Sequence, residues 1–238
     1  MQDSFSYFFC AGVMVIKYCF SDLFLTAKTD IGTTIPNFLK LLNLQRKRIK
    51  LKTKGIHSLE GRNVMEKGQI HIYTGDGKGK TTAALGLAVR AVGAGKSVYI
   101  GQFIKDMEYH EIAVLRSLPN VTVELYGSGD GCFIDRKPSQ KDIDAANEAV
   151  NKAIMAVYSG EYDMVILDEI NIAHSLKLIT TQQMICIMES KAEKTELIFT
   201  GRYCPQDVLD KADLVTEMKE IRHYYATKGL LARDGIER

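Results

Sequence analysis

The sequence predicts an α/β protein, in which a mostly parallel sheet is flanked by helices. Apolar strand-like runs alternate with helix-like periods from residue 65 onward, a pattern typical of parallel sheets covered on both faces. A glycine-rich turn joins the first strand directly to a helix. No internal repeat or low-complexity linker divides residues 65–238, so we expect these elements to form one domain.

Six strands are predicted from short runs rich in β-branched and aromatic residues. They are Ile70–Tyr73, Val98–Phe103, Val121–Tyr126, Met164–Leu167, Leu197–Thr200 and Leu214–Met218.

Four helices are predicted between these strands. The first runs from Lys80 to Val92 with small apolar residues that suit close packing on the sheet, and Gly93 follows it. Ser139 is the expected N-cap of the second, which continues at helical spacing until Gly160. The other two cover about Thr181–Lys191 and Gln206–Ala212, with Pro205 at the start of the last one.

Residues 1–64 differ in composition from the rest of the 238-residue chain. They carry ten Lys/Arg against four Asp/Glu, whereas the remainder carries 21 bases against 25 acids. The base-rich run 45–54 suits either a nucleic-acid or anionic-membrane patch or a solvated, disordered arm. We expect residues 1–64 to be an N-terminal extension, disordered or arising from a wrongly assigned start, and residues 65–238 to be the functional domain.

Composition also bounds the location and the partners. Lys17 and Asp22 interrupt the N-terminal apolar run, which is then too short to span a bilayer. The five cysteines lack a Cys-x-x-Cys pair, which favours free thiols in a reducing cytoplasm. The mildly acidic domain argues against general nucleic-acid binding. We therefore expect a cytoplasmic protein with no specific nucleic-acid partner and no membrane association.

The most informative segment is the glycine-rich turn after the first strand. Its pattern, strand then Thr-Gly-Asp-Gly-Lys-Gly-Lys-Thr-Thr over residues 74–82, is typical of a phosphate-binding loop (P-loop). Glycines allow backbone N–H groups to turn around an anion, and the helix N-terminus adds partial positive charge. Lys80 would supply a full charge and Thr81 a magnesium ligand. Thr74 stands where the usual loop has its first glycine.

A second motif supports a nucleotide–magnesium site. The apolar strand at 164–167 ends in Asp168 and Glu169. Carboxylates at the end of a strand near the phosphate loop would approach Mg²⁺, which needs oxygen ligands. Together the two motifs predict a single P-loop NTPase domain of the RecA-like kind.

Several further segments form a long pattern with these motifs. They are Gln102-Phe-Ile-Lys105, Leu167-Asp-Glu-Ile-Asn171, Thr200-Gly-Arg-Tyr-Cys-Pro205, Val215-Thr-Glu217, Arg222-His223 and Gly235-Ile-Glu237. The whole pattern, over about residues 67–237, resembles the ATP:corrinoid (cob(I)alamin) adenosyltransferases of the CobA/CobO/BtuR type.

The resemblance implies a reaction in which a corrinoid reduced to Co(I) attacks the 5′ carbon of ATP. Adenosylcobalamin, or the corresponding adenosylcobinamide or cobyrinate diamide, would form and triphosphate would leave, in cobalamin biosynthesis or salvage. The cofactor would be Mg²⁺, and ATP and the corrinoid would be substrates. The resemblance also implies a homodimer and is compatible with a flavoprotein-type reductant.

By motif match, each site residue acquires a role. Lys80 would neutralise the triphosphate, while Thr81 and Glu169 would hold Mg²⁺ with Asp168 in or near its second shell. The loop residues would bind phosphates, Thr82 would add a hydroxyl, and Arg202 would reach the nucleotide; the loop residues are Thr74, Gly75, Asp76, Gly77, Lys78 and Gly79. Phe133 is the candidate for displacing the lower axial ligand of cobalt, with a buried loop anchor as the alternative.

Two other functions stay open on the sequence alone. One is a RecA-like ATPase that couples hydrolysis to a protein partner. The other is a non-catalytic module whose basic arm binds nucleic acid. Products distinguish the first of these from a transferase, because an ATPase releases ADP and phosphate without a corrinoid.

Overall fold

A six-stranded sheet forms the centre of the part of the chain described by the computed structural model, residues 67–105, 108–127 and 137–237. The strands are β1 (Ile70–Thr74), β2 (Val98–Phe103), β3 (Val121–Tyr126), β4 (Met164–Asp168), β5 (Glu196–Thr200) and β6 (Leu214–Glu217). Their order is β3–β2–β4–β5–β1–β6, and every recorded pairing is parallel. The predicted α/β class is confirmed. The predicted extension 1–64 and Phe133 lie outside the described residues.

Helices connect the strands and end within a few residues of the predicted positions where a prediction was made. They are α1 (Lys80–Gly93), α2 (His110–Ser117), α3 (Gln140–Ser159), α4 (Ile170–Ser175), α5 (Thr181–Glu189), α6 (Gln206–Leu209) and α7 (Tyr224–Lys228). Ser139 caps α3 as predicted, in a capping box with Asp142, and Gly160 ends it in the left-handed conformation. None of the helices in the described ranges is long and apolar enough to cross a membrane.

Helices cover both faces of the sheet. Successive residues of each strand point to opposite faces, so a single strand can contribute to both core clusters. In β5, Leu197 and Phe199 join the core cluster with α3, α4 and α5, whereas Ile198 joins the cluster with α1 and α2. The central strands β2, β4 and β5 are buried along their whole length. By contrast, the edge strand β6 is exposed at every residue.

The carboxyl ends of the parallel strands meet at one edge of the sheet, where the backbone turns sharply. Ile104 after β2, Glu169 after β4 and Tyr203 shortly after β5 all have positive φ, near 60°. Side chains strongly disfavour this region, above all a β-branched one such as Ile104. Such conformations cluster at functional sites, where the surrounding structure enforces them.

Candidate active site at the carboxyl edge of the sheet

The glycine-rich loop lies between β1 and α1 at this edge. Its last glycine, Gly79, adopts φ 119° and serves as the N-cap of α1, so the helix begins at Lys80. The Lys80 ammonium turns back into the loop and donates to the carbonyl oxygens of Gly75 and Gly77 at 2.8 and 2.7 Å. The sequence predicted a glycine-rich turn that leads from a strand into a helix opened by Lys80 and Thr81, and the structure confirms this order.

Lys80 is a buried cation, with 8% of the residue exposed. Burial lowers its pKa, and repulsion from Arg202 lowers it further, while the charges of Glu169, Asp76 and Asp168 act in the opposite direction. A lowered pKa means that burial destabilises the charged form of Lys80. An anion bound beside Lys80 would offset that cost, and phosphate binding by Lys80 stays a prediction.

Met218, the residue that follows β6, contacts the loop through its backbone. The N–H of Gly77 donates to the Met218 carbonyl at 2.6 Å, and the N–H of Met218 donates to the Thr74 carbonyl at 2.8 Å. A Cβ on Gly75 or Gly77 would lie 2.6 Å from the Met218 oxygen. These two glycines are therefore required by contact with another part of the backbone, independently of any phosphate.

We expect Gly77→Ala to destabilise the empty protein, because its new Cβ would collide with backbone atoms that cannot rotate away. Overpacking of this kind costs about 1–3 kcal/mol, measurable by urea unfolding without nucleotide. The matched control is Gly86→Ala in α1, where nothing lies within 4 Å of the added Cβ; there, alanine's higher helix propensity should leave stability equal or higher. Equal stabilities of Gly77→Ala and wild type would show that the Met218 contact does not constrain the loop.

Lys78 is bound to the C-terminal segment. Its ammonium lies 2.7 Å from the Glu237 carboxylate and donates to the Tyr224 hydroxyl and the Ile236 carbonyl, both at 3.1 Å. Tyr224 in turn donates to Glu237, and the Arg233 guanidinium lies over the Tyr224 ring. The C-terminal motif singled out in the sequence thus contacts the phosphate loop through one lysine. A role for the Lys78 side chain in binding phosphate stays a prediction.

Asp168 is fully buried and both its oxygens are occupied. Oδ1 accepts from the hydroxyls of Thr81 at 2.8 Å and Thr200 at 2.6 Å, and Oδ2 accepts from Gln102 at 3.0 Å and Lys105 at 2.8 Å. Burial alone would raise the pKa of Asp168, but the charge and hydrogen bond of Lys105, with the two threonine hydroxyls, hold it below its ordinary value. With four donors, Asp168 fits an indirect role at a metal better than direct ligation.

The carboxylate of Glu169 differs from that of Asp168 in its contacts with the described residues. The structure gives the Glu169 carboxylate no hydrogen bond or ion pair among residues 67–105, 108–127 and 137–237, while the Glu169 N–H donates to Thr200 at 3.0 Å. Burial and the charge of Asp168 raise the pKa of Glu169, opposed by Lys105, Lys80 and Arg202. A carboxylate without a hydrogen-bonding partner among the described residues is suited to a bound cation.

The oxygen atoms of Thr81 and Glu169 are of the kind that Mg²⁺ binds, and the presence of this ion stays a prediction. The Thr81 oxygen keeps its lone pairs, because the hydroxyl hydrogen is given to Asp168. With one carboxylate from Glu169 and oxygens of a bound triphosphate, these are the ligands that Mg²⁺ prefers. In the described ranges, no group of three or more His, Cys, Asp or Glu residues could hold a metal.

The other predicted residues lie at the surface of the same region. Asp76, Thr82 and Arg202 are exposed, and Thr74 is half-buried at the end of β1. The turn that carries Arg202 is fixed by Asn171, whose side-chain amide donates to the Gly201 carbonyl at 2.9 Å. Gly201 itself has φ 125°, and a Cβ there would lie 3.0 Å from Asn171.

Gln102, Lys105 and Thr200 lie within the sequence motifs, but no role was predicted for them. All three contact Asp168. The available signal was the position of a glutamine and a lysine at the end of an otherwise apolar strand. Polar residues at such a place are buried only when they have partners.

A parallel sheet whose first strand leads through a glycine-rich loop into a helix, with Asp-Glu after a central strand, defines the phosphate-loop class of α/β proteins. Over residues 66–238 the chain matches the family described as ATP:corrinoid adenosyltransferase BtuR/CobO/CobP. The chain belongs to this family, and the resemblance seen in its motifs is confirmed.

Individual relatives agree with this membership. Corrinoid adenosyltransferases of Sinorhizobium sp. and Escherichia coli strain K12 are each 34% identical to the chain over 72% of its length, covering 81% and 86% of those proteins. An uncharacterized protein of Nostoc sp. is also 34% identical, over 77% of this chain. The match covers 51% of that protein, so the chain spans about half the length of this relative.

Proposed function

We propose that the protein transfers the 5′-deoxyadenosyl group of ATP to the cobalt of a reduced corrinoid and releases inorganic triphosphate. The observation that carries the proposal is the buried Lys80, whose ammonium lies within the glycine-rich loop of a corrinoid adenosyltransferase family member. Co(I) would supply the electron pair of the new Co–C bond and become formally Co(III). The C5′–O bond would break, and its electron pair would leave with triphosphate.

The chemistry makes charge stabilisation the main task of the protein. Co(I) is itself a strong nucleophile, so no general base is needed to activate it. Because the bond that breaks is at C5′, the whole triphosphate departs and must be stabilised as a leaving group. Lys80, the loop N–H groups and the Thr82 hydroxyl would provide that stabilisation, and Arg202 would bind another part of the nucleotide.

Thr81 and Glu169 would hold Mg²⁺. Asp168 would orient the Thr81 hydroxyl by accepting its hydrogen bond. When bound, the ion would supply further neutralisation of the phosphate oxygens. The half-buried position of Glu169 and the raised pKa of its carboxyl support this assignment, since a cation would remove the repulsion between two adjacent carboxylates.

The remaining expectations about function accompany this proposal. We infer a homodimer working in the cytoplasm in cobalamin biosynthesis or salvage, with a reductant of the flavoprotein type. Phe133 is proposed to crowd the lower face of the corrinoid, which would make the cobalt easier to reduce.

The deciding experiment is an anaerobic assay of the full chain with ATP, Mg²⁺ and a chemically reduced corrinoid. We expect a light-sensitive Co–C product and one triphosphate per adenosyl group transferred. Omission of the corrinoid should abolish triphosphate release. Release of ADP and phosphate without a corrinoid would contradict the proposal and favour a RecA-like ATPase.

A further inference from the structure

Lys105 reaches the buried centre of the site from a strained turn. It follows Ile104, whose φ of 57° is unusual for a β-branched residue. Its N–H donates to the Phe103 carbonyl, and its own carbonyl accepts from Gly127, which fixes the turn on both sides. The ammonium then lies 2.8 Å from Asp168 and over the Tyr109 ring at 5.5 Å. The fold thus holds this lysine in one direction at a conformational cost.

The cation completes the set of donors around Asp168. Lys105 and Gln102 take Oδ2, which leaves Oδ1 to accept from Thr81 and Thr200. With its charge balanced, Asp168 remains an acceptor and receives the only hydrogen of the Thr81 hydroxyl. The lone pairs of that hydroxyl therefore point away from Asp168 and are available to a cation.

We propose that Lys105 is a positioning residue for the magnesium site, acting through Asp168 to orient the Thr81 hydroxyl toward the metal. The inference rests on the proposed function, since it assumes that ATP binds together with a divalent ion. Partners that orient metal ligands typically contribute 10- to 100-fold to metal affinity. The effect should therefore appear in metal binding and be nearly absent from metal-free nucleotide binding.

The test compares the full-length wild type with Lys105→Met, which keeps the side-chain length and removes the charge. Mn²⁺ binding in the presence of ATP is measured by electron paramagnetic resonance, and ATP binding in a chelator by calorimetry. We expect Mn²⁺ affinity to fall by about 10- to 100-fold while metal-free ATP affinity stays near the wild-type value. Lys105→Arg, which retains the charge, should recover part of the loss.

Lys152→Met is the matched control, because Lys152 pairs with Glu124 and Glu148 on the surface and should leave both affinities unchanged. Wild-type Mn²⁺ affinity in folded Lys105→Met overturns the inference. An equal loss of metal-bound and metal-free ATP binding overturns it as well.

If that variant does not fold, the double variant Lys105→Met/Asp168→Asn removes both buried charges. Its Mn²⁺ affinity should still be reduced, and a wild-type value overturns the inference.

The outcomes separate this inference from the proposed function. Suppose that the wild type forms the Co–C product and binds Mn²⁺ with ATP, and that Lys105→Met binds Mn²⁺ with wild-type affinity. This result rejects only the role of Lys105. A wild type that does neither rejects both.

Discussion

Lys80→Ala is expected to reduce adenosyl transfer by about 100- to 1,000-fold in kcat/KM for ATP, the range seen when one preorganised charge-stabilising donor is removed. The variant loses the only lysine ammonium that donates to the loop carbonyls in the described residues. A triphosphate that leaves intact carries more charge than the bound ATP group it comes from. The loss should therefore fall on kcat as well as on KM.

The measurement is the initial anaerobic rate of Co–C bond formation at saturating reduced corrinoid, over a range of ATP concentrations. Lys211→Ala is the control, because that lysine pairs with Glu189 at the surface and should leave the rate unchanged. The empty variant should remain folded, since removing a buried charge offsets the two lost hydrogen bonds. A variant rate equal to that of the wild type would remove Lys80 from its assigned role.

Asp168→Ala should lower the free energy of unfolding of the empty protein by about 3–5 kcal/mol, the usual cost of leaving one charge of a buried ion pair alone. Lys105 would remain largely buried without its carboxylate. The hydroxyls of Thr81 and Thr200 and the Gln102 amide would lose an acceptor in the same step. An effect of this size would make Asp168 a structural centre of the domain as well as part of the site.

Urea unfolding without nucleotide or metal measures this effect, with Asp210→Ala, which removes an exposed contact to Gln206, as control. The pKa of Asp168 is below its ordinary value in the folded protein. Its contribution is therefore full above the unfolded-state pKa, about 3.9, and is lost as the pH falls through the folded-state pKa. The gap between wild type and variant should narrow in acid. A gap below about 1 kcal/mol at neutral pH, the level of an exposed pair, would contradict the prediction.

Most of the fold could be predicted from the sequence because its signals are local. The strands β2 and β3 coincide with their predicted ranges, since apolar residues fill them and turn residues bound them. The prediction for α6 was wrong at its end: the helix stops at Leu209, where Lys211 and Ala212 donate to carbonyls three residues earlier and tighten the chain into a turn. The helices α2, α4 and α7 were not predicted, because short helices carry too few periods to reveal a face.

The site could be predicted only in part, because its chemistry depends on which strands are neighbours. The loop and the Asp-Glu pair are continuous motifs whose proximity was expected, but the hydrogen bond from Thr81 to Asp168 was not predicted. The contact of Lys105 with Asp168 arises because β2 lies beside β4, with Gln102 in register with Asp168. The order of strands in the sheet cannot be predicted from any one segment. The partners of Asp168 therefore could not be deduced from the motifs alone.

The support of the phosphate loop by Met218 and Glu237 has a consequence for how the protein matures on the ribosome. Chains emerge from the N-terminus, so the loop and α1 appear long before β6 and the residues that follow it. Until then the loop lacks the backbone contact that fixes Gly77 and the carboxylate that holds Lys78. We expect the nucleotide site, although encoded near the start of the domain, to be the last part of it to become competent during translation.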